Sequence, residues 1–259
     1  MNKLVKSMAL TLSLIGASTT ILASDAVGPG ESDSTWIIGT GAVSYNNIYA
    51  GENRESSGLL NFTYNGDTFF AKDGSLNLHL LKFEQYSLGL TVNGDNSFLS
   101  DRDDYEDNPM LSGLIERDNT VEGGFYLFHT TKAGRFKFRL LTDLANKHNG
   151  ETASLSYTFA LKSGDWYINP SLGMNWISAD KVNHHFGVSA SESTATRAAY
   201  TGSSALNYFV GISARYEITD HIDIKLNTGI NFLDSSIKNS SIVDDDKGYF
   251  SGVSFNYNF

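Results

Sequence analysis

Residues 249–259 read Tyr-Phe-Ser-Gly-Val-Ser-Phe-Asn-Tyr-Asn-Phe, and this stretch decides the fold. Large apolar side chains alternate here with small or amide side chains. The first set is Tyr249, Val253, Phe255, Tyr257 and Phe259, and the second set is Gly252, Ser254, Asn256 and Asn258. Because successive side chains of a β-strand point to opposite faces, this period of two predicts a strand with one apolar and one polar face.

The same alternation recurs upstream, in residues 222–233, 206–217, 166–177 and 152–161. A water-soluble sandwich would show it too, but these segments reach about ten residues, the length that a tilted membrane-spanning strand requires. Aromatic residues near the ends of the apolar faces suit the two membrane interfaces. They are Trp166, Trp176, Tyr208, Tyr216, Tyr249 and Tyr257. The pattern predicts an all-β fold, a transmembrane antiparallel up-and-down β-barrel of the Gram-negative outer membrane.

The number of strands follows from counting such segments back from residue 259. The segments are 249–259, 222–233, 206–217, 166–177, 152–161, 135–144, 120–130, 86–93, 76–81, 68–72, 57–64 and 36–45. This gives twelve strands, with both chain termini on the periplasmic side. If Gly66 is a bulge inside one long strand, the count becomes ten. The first and last strands should pair, because an open sheet edge in lipid leaves backbone groups unsatisfied.

The parity of the alternation predicts which side chains face the membrane. The outward set is Val253, Phe255, Tyr257, Ile224, Leu226, Val210, Ile212, Leu172 and Met174, and the lumen set is Asn256, Asn227, Ser213 and Gly173. Loop lengths alternate as well, with long polar connections at 93–119, 178–205 and 233–248. Long loops are extracellular in such barrels, and short turns are periplasmic.

Parity also assigns charged side chains to the lumen. They are Lys137, Arg139, Asp143, Arg215, Glu217, Asp223 and Lys225. Side chains can fill most of a barrel of ten to twelve strands, and unpaired charges there are costly. We expect ion pairs between neighbouring strands, most directly Arg215 with Asp223, that plug the periplasmic end. The alternative is a narrow pore whose water screens these charges.

The N-terminal residues 1–26 form a separate unit. Lys3 and Lys6 precede a largely apolar run, Met8–Leu22, and small residues follow it. This is the pattern of a secretory signal peptide, cleaved after Ala26 or Ala23. The barrel domain is then residues 27–259. The formal net charge of −10 argues against nucleic-acid binding, and the lack of cysteine excludes a disulfide or a Cys-based metal site.

Several short motifs in the barrel segment resemble one family. They are Tyr49-Ala50-Gly51, residues 64–70, His185-Phe186-Gly187-Val188-Ser189 with Glu192-Ser193 and Ala199-Tyr200 after it, and Ser241-Ile242-Val243-Asp244. Together they are similar to the MipA/OmpV family of outer-membrane proteins, over nearly all of residues 36–259. The chain departs from the family at Ser241, where relatives often have proline.

The resemblance implies a scaffold rather than an enzyme. MipA-type members are linked to a lytic transglycosylase and a bifunctional penicillin-binding synthase of peptidoglycan, and OmpV-like members to adhesion and osmotic response. A pore or an adhesion protein is therefore the alternative. The ending in Tyr257 and Phe259 resembles the assembly signal that the barrel assembly machinery reads. Outer-membrane lipid would surround the barrel.

No motif in the sequence predicts catalysis, a cofactor or a metal. The nearest match to the His-x-Ser motif of outer-membrane phospholipases is His129–Arg135, which lacks the serine. His184 and His185 are adjacent, and neighbouring residues of a strand point to opposite faces, so we interpret them as a loop pair rather than metal ligands. The acidic runs at 101–107 and 244–246 lack the glycine and spacing of a calcium loop, which favours solvated loops.

Overall fold

The computed structural model describes residues 36–96 and 98–259, which form one closed antiparallel sheet. The predicted signal peptide, residues 1–26, lies outside the described residues. The strands are β1 (Trp36–Asn46), β2 (Arg54–Asn65), β3 (Phe69–Lys72), β4 (Ser75–Lys82), β5 (Tyr86–Asp95), β6 (Thr120–Thr131), β7 (Gly134–Asp143), β8 (Glu151–Phe159), β9 (Leu161–Ser163), β10 (Trp166–Ile177), β11 (Ala205–Glu217), β12 (Ile222–Phe232) and β13 (Lys247–Asn258). Because β8 and β9 pair with the same strand, β10, they are two segments of one strand, and the barrel has twelve strands.

The barrel closes between its first and last strands. β1 pairs antiparallel with β13, from Ile37 opposite Asn258 to Tyr45 opposite Phe250. Closure leaves neither β1 nor β13 with an open sheet edge, which could not be hydrated in lipid. The predicted pairing and the count of twelve are therefore confirmed. The alternative count of ten is wrong, because Gly66 lies in the turn between β2 and β3 rather than in a bulge.

The wall has its apolar side outside. Leu172, Val210 and Phe255 are 49%, 47% and 53% exposed on the outer face, whereas Ser213 and Asn256 are buried on the inner face. Of the other predicted outward residues, Val253 and Ile224 are half-buried and the remainder are exposed. An outer surface of this kind is stable in a hydrocarbon environment and not in water.

The wall is least continuous beside β2. Strand β3 has four residues, and only Tyr64 and Asn65 of β2 pair with it. From Arg54 to Thr63, this edge of β2 faces no strand in the part of the chain that the structure describes. The hairpin of β3 and β4 is too short to cover the edge, so backbone donors and acceptors are left without a ladder there.

Four connections pack together over one mouth of the barrel. They are residues 47–53, 98–119, 178–204 and 233–246, and we call them the cap. The cap contains helix α1 (Ala179–Phe186), the short helix α2 (Ser235–Lys238) and two single 3-10 turns. Its long loops identify this mouth as the extracellular one. In the described residues no helix is long and apolar enough to span a membrane.

The cap has a hydrophobic core of its own. The core consists of Tyr49, Leu99, Tyr105, Leu111, Leu114, Val182, Phe186, Val188, Leu233, Ile237, Ile242 and Val243, together with Ile177 and Ala205 at the adjoining ends of β10 and β11. Tyr49 stacks on Phe186 with ring centroids 5.6 Å apart. The predicted long polar loops are thus a packed layer that closes the extracellular mouth.

Candidate functional site in the lumen and the cap

A buried cluster of charges joins the cap to the wall. Lys181 lies on α1, and its Nζ is 2.7 Å from Oε1 of Glu122 on β6 and 3.2 Å from Oδ2 of Asp95 at the end of β5. Burial alone would lower the pKa of Lys181, but the carboxylates of Asp95 and Glu122 raise it, so the ammonium stays charged. One cation therefore holds two carboxylates beneath the helix.

Two histidines complete this cluster. Nε2 of His185 is 3.1 Å from Oδ2 of Asp95. Nε2 of His148 is 3.6 Å from both Oδ2 of Asp95 and Oε1 of Glu122, too far for a hydrogen bond. The N–H of Gly150 donates to Nδ1 of His148 at 2.9 Å. A neutral His148 ring must then carry its proton on Nε2, the atom that faces the carboxylates.

This geometry fits an ammonium better than a metal ion. Asp95, Glu122 and His148 offer one ligand-type atom each within 4.8 Å of one another. However, Lys181 Nζ already contacts both carboxylates, and a neutral histidine that binds a metal through Nε2 needs its proton on Nδ1. The N–H of Gly150 donates to Nδ1, so Nδ1 cannot carry that proton. We therefore interpret the cluster as an ion-pair network.

Helix α1 places Lys181 and His185 on one face. Oγ of Ser178, just before the helix, accepts the N–H of Glu151 at 2.9 Å and ties the helix start to β8. Val182 and Phe186 share the buried side and enter the cap core. The prediction that His184 and His185 form a loop pair is wrong, because both belong to this helix. The alternating strand geometry that was assumed for them does not apply.

His184 lies on another side of α1 and contacts a different loop. Its Nε2 is 3.1 Å from the carbonyl oxygen of Asp118. Burial and the nearby His185 lower the pKa of His184 to about 4. It is neutral at physiological pH and connects the helix to the segment before β6.

Asp143, predicted as a lumen charge, organises the turn between β7 and β8. Its carboxylate accepts N–H groups of Ala145, Lys147, His148 and Asn149 and the hydroxyl of Thr120. These bonds fix the turn that carries His148. The side chain has the predicted inward parity, but it sits at the extracellular end.

The motif of residues 185–189 lies in the cap and consists of the last two residues of α1 and the three residues that follow. Val188 forms a β-bridge with Tyr200, and Ser189 Oγ donates to Oε2 of Glu192 at 2.7 Å. Arg117, from the loop before β6, reaches Oε1 of Glu192 at 2.9 Å. Burial alone would raise the pKa of Glu192, but Arg117, the Ile115 N–H and Ser189 together lower it to about 2. The motif thus connects two distant loops.

The predicted charges at the periplasmic end come together. Arg215 is 3.2 Å from Oε1 of Glu217 and 3.9 Å from Oδ2 of Asp223, and its guanidinium lies 4.2 Å from the centre of the Tyr167 ring. Asp223 also accepts from Nδ2 of Asn256 at 2.7 Å. The expected cross-strand ion pair of Arg215 with Asp223 is therefore present, and Glu217 on the same strand as Arg215 is closer still. In the ladder Lys225 lies opposite Arg215.

The opposite inner wall is filled by aromatic rings and a buried arginine. Tyr126 is fully buried, stacks on Phe128 at 4.6 Å and lies 5.7 Å from Phe70. Arg139 donates to Oγ1 of Thr91 at 2.7 Å, and Lys137 lies over the Phe128 ring at 5.6 Å. These predicted lumen charges are thus packed against neutral groups on strands β5 and β6.

Sequence reasoning missed the centre of the cluster beneath α1. Asp95, Lys181 and His148 lie in segments without periodicity, so no pattern pointed to them. Glu122 carried a signal, because it is a lone carboxylate on the inward face of the predicted strand 120–130. A search for inward charges near the extracellular strand ends would have found it.

The C-terminal pair Tyr257 and Phe259 and the rejected catalytic residue His129 all lie on the outer wall of the barrel. Tyr257 and Phe259 are 45% and 59% exposed on the outer face, and the N–H of Phe259 donates to the carbonyl of Trp36 at 3.0 Å. His129, the histidine of the rejected match to a phospholipase motif, stacks on Tyr86 with ring centroids 4.3 Å apart. Tyr86 is exposed on the outer wall, so this histidine does not face the lumen.

Comparison with known proteins gives one family. Residues 38–259 match the family model described as MltA-interacting protein MipA. The outer membrane protein YiaT of Escherichia coli K12 is 27% identical over 225 residues, which cover 85% of this chain and 90% of YiaT. OmpV of Vibrio cholerae is 26% identical and covers 88% of each chain. The MltA-interacting protein of Escherichia coli K12 is 19% identical, over 86% of this chain and 90% of the relative.

Proposed function

Because the chain belongs to the MipA family of outer-membrane proteins, we propose that it is a non-enzymatic scaffold in the outer membrane. The scaffold holds peptidoglycan-remodelling enzymes, a lytic transglycosylase and a penicillin-binding synthase, at the periplasmic face. The name of the relative that is 19% identical, MltA-interacting protein, describes such a contact for that relative. We propose the same kind of partner, a lytic transglycosylase, for this chain.

The observation that carries the proposal is the closed extracellular mouth. Fourteen buried apolar residues form the cap core over the barrel, and Lys181 ties α1 to strands β5 and β6. At the other end Arg215, Glu217 and Asp223 form a compact charged group. A barrel that is narrowed at both ends is suited to present surfaces rather than to conduct solutes.

A non-enzymatic role is also supported by the setting of His129. A nucleophilic mechanism needs a hydroxyl or thiol within hydrogen-bond reach of the base and a site for the substrate. His129 is used in a stacking contact on the outer wall, and Arg135 Nε donates to Oγ1 of Thr130 at 3.0 Å. These contacts are those of a strand end and its turn.

The periplasmic turns offer the surface for an enzyme partner. Phe83, between β4 and β5, and Ile218, between β11 and β12, are 66% and 50% exposed. Exposed large apolar groups beside polar ones are common anchors of protein interfaces. Ile115 in the cap is 58% exposed and provides a matched apolar position on the other side of the membrane.

The test is capture of a purified membrane-bound lytic transglycosylase by the folded barrel in detergent. We expect Phe83→Ser and Ile218→Ser to reduce capture several-fold, and Ile115→Ser to leave it unchanged. Heat-modifiable migration on gels reports that each variant is folded. Failure of the wild-type barrel to capture the enzyme, or equal loss with Ile115→Ser, contradicts the scaffold.

A narrow pore is the second candidate, because the inner wall of β10–β13 is polar. Single-channel recordings in planar bilayers separate the two. Replacing residues 179–204 by a short Gly-Ser linker should open the extracellular mouth. In that background, a double substitution Arg215→Ala with Asp223→Ala should raise conductance, whereas in the capped barrel it should not. Steady conductance by the wild-type barrel would favour the pore.

A further inference from the structure

We propose that the inner wall of strands β10–β13 is a binding site for a neutral saccharide. The site lies between the charged group at Arg215 and the cap. It goes beyond the scaffold role, because its ligand is a small polar molecule in the lumen rather than an enzyme at the periplasmic turns.

The wall is built from neutral polar side chains at neighbouring positions. Ser213 on β11 pairs with Asn227 on β12, and Phe209 pairs with Asn231. Asn207, one inward position above Phe209, pairs with Asn175 of β10. The ladder therefore sets four amides and a hydroxyl on one inward-facing patch.

These groups have hydrogen-bonding capacity that the protein does not use. Nδ2 and Oδ1 of Asn231, Oδ1 of Asn227, Nδ2 of Asn207 and Oγ of Ser213 are buried and have no partner in the described part of the chain. Asn207 and Ser213 are each 1% exposed. An unsatisfied buried polar group costs about 1–3 kcal/mol, so a ligand or water must supply the partners.

Two phenyl rings pack over glycines of the same wall, Phe209 opposite Gly173 and Phe250 opposite Gly229. A Cβ atom added to Gly173 would be 2.4 Å from Cε1 of Phe209, and one added to Gly229 would be 2.5 Å from Cε1 of Phe250. The rings therefore occupy the space that side chains at the two glycines would take, and both rings are half-buried, so part of each remains accessible. At Gly252 and Gly248 an added Cβ would approach nothing closer than 3.4 Å and 3.7 Å, which leaves room in front of the wall.

This combination of groups fits a sugar. Hydroxyl groups of a saccharide both donate and accept, as asparagine amides do, and the apolar face of a pyranose can pack on an aromatic ring. Phosphate or carboxylate ligands require clustered cations, whereas the two cations at the end of this wall, Arg215 and Lys225, are accompanied by the carboxylates of Glu217 and Asp223. Water could satisfy the amides, but it gains nothing from the accessible parts of two half-buried phenyl rings. The patch is therefore assigned to a neutral saccharide.

The experiment is titration calorimetry of the refolded full barrel with glucose, maltose, N-acetylglucosamine and its β-1,4 disaccharide. The first two represent free nutrient sugars, and the last two represent cell-wall-type glycans. We expect one pair to bind. Asn231→Ala should then weaken binding about tenfold, because both amide atoms contact the ligand. Phe250→Leu should weaken it by a similar factor, because the ring face is lost.

Asn77→Ala is the matched control. Asn77 is also an inward buried amide, but it lies on β4 and its Nδ2 bonds to the carbonyl of Phe70 at 3.5 Å. It should leave the affinity unchanged. If no sugar binds the wild-type barrel at millimolar concentrations, water satisfies the wall and the proposal is wrong. If binding occurs but Asn231→Ala and Asn77→Ala act alike, the site lies elsewhere and the proposal is equally wrong.

Discussion

The two halves of the barrel are built differently, although the same period of two governs both. Strands β10–β13 pair over ten to twelve residues in every ladder and line the lumen with amides and glycines. Strands β2–β7 contain the four-residue β3 and the unpaired edge of β2, and their lumen side is packed with Phe70, Tyr126 and Phe128. We infer that backbone hydrogen bonds of the ladder contribute more of the stability in β10–β13. In β2–β7 a larger share comes from side chains packed in the lumen.

The contrast has a physical reason. A continuous ladder satisfies the backbone and tolerates an open, polar inner wall. In the half that contains the interrupted ladder, packed rings and a buried arginine add side-chain interactions in the lumen. The open wall is the half that can receive a ligand, whereas the packed half can serve as a rigid support. Substitutions in the packed half and in the contacts that join the halves test this division.

The largest effect is expected for Tyr126→Ala in the packed half. Tyr126 is fully buried and its hydroxyl is 2.7 Å from Nδ1 of His79. Loss of a buried aromatic side chain costs about 3–5 kcal/mol of unfolding free energy. Tyr126→Phe, which removes only the hydroxyl, should cost about 1 kcal/mol. Urea unfolding in lipid vesicles gives both values.

Asn227→Ala in the open wall is the control for that experiment. Its amide oxygen has no partner among the residues that the structure describes, so its removal should change the unfolding free energy by less than about 1 kcal/mol. Equal losses for Tyr126→Ala and Asn227→Ala would mean that the two halves carry equal stability, and the comparison would have to be abandoned.

The next effect is expected at the junction of the halves, for Lys181→Met. Lys181 follows β10 in the chain, but its partners Asp95 and Glu122 belong to β5 and β6. Removing one member of a buried ion pair costs about 3–5 kcal/mol, because the remaining charges stay buried without compensation. We expect proteases to cut the 178–204 loop at least tenfold faster in this variant while the barrel stays closed. Lys238→Met, an exposed lysine of the same cap, should leave the rate unchanged.

How far these regions could be predicted from sequence depends on what each faces. All twelve strands were located to within about three residues, because lipid on one side and the lumen on the other impose a strict alternation. The cap was not predicted. Its core draws Tyr49, Leu111, Phe186 and Ile242 from four connections that are distant in sequence, and nothing periodic links them. Family resemblance marked residues 185–189, but not that His185 lies on a helix against Asp95.

A smaller effect is expected for Glu192→Gln, which weakens the second contact between the halves. Its carboxylate holds Arg117 and the Ile115 N–H from the β5–β6 connection. Hydrogen bonds to a charged group contribute about 1.5–3 kcal/mol. The pKa of Glu192 is about 2 in the folded protein, below the usual 4.5. Its contribution is therefore complete above pH 4.5 and decreases as the pH falls toward 2.

The measurement is the protease resistance of the cap as a function of pH. At pH 7 the cap of Glu192→Gln should be cut faster than that of the wild type, and the two should converge as the pH approaches 2. An acid-stable protease covers the lower range. A constant difference down to pH 2 would show that the carboxylate acts through its shape and not through its charge.

The smallest effect is expected for His184, whose ring bridges α1 and the Asp118 carbonyl. Burial and His185 lower its pKa to about 4, against 6.5 for an unfolded histidine. Between pH 6.5 and pH 4 the opened cap therefore binds a proton that the closed cap does not. Stability must decrease as the pH falls through this window and cannot decrease further below it on account of this group. Because the ring is only half-buried, solvent screening keeps the change small.

His184→Gln retains a donor for the Asp118 carbonyl and cannot be protonated, so it should protect the cap at pH 5 and be indistinguishable from the wild type at pH 8. The ratio of wild-type to variant cleavage rates at the two pH values isolates this one group from the neighbouring His148 and His185, which both proteins share. A ratio that does not rise from pH 8 to pH 5 would place the titrating group elsewhere in the cap and leave the Asp118 contact as a purely neutral link between the halves.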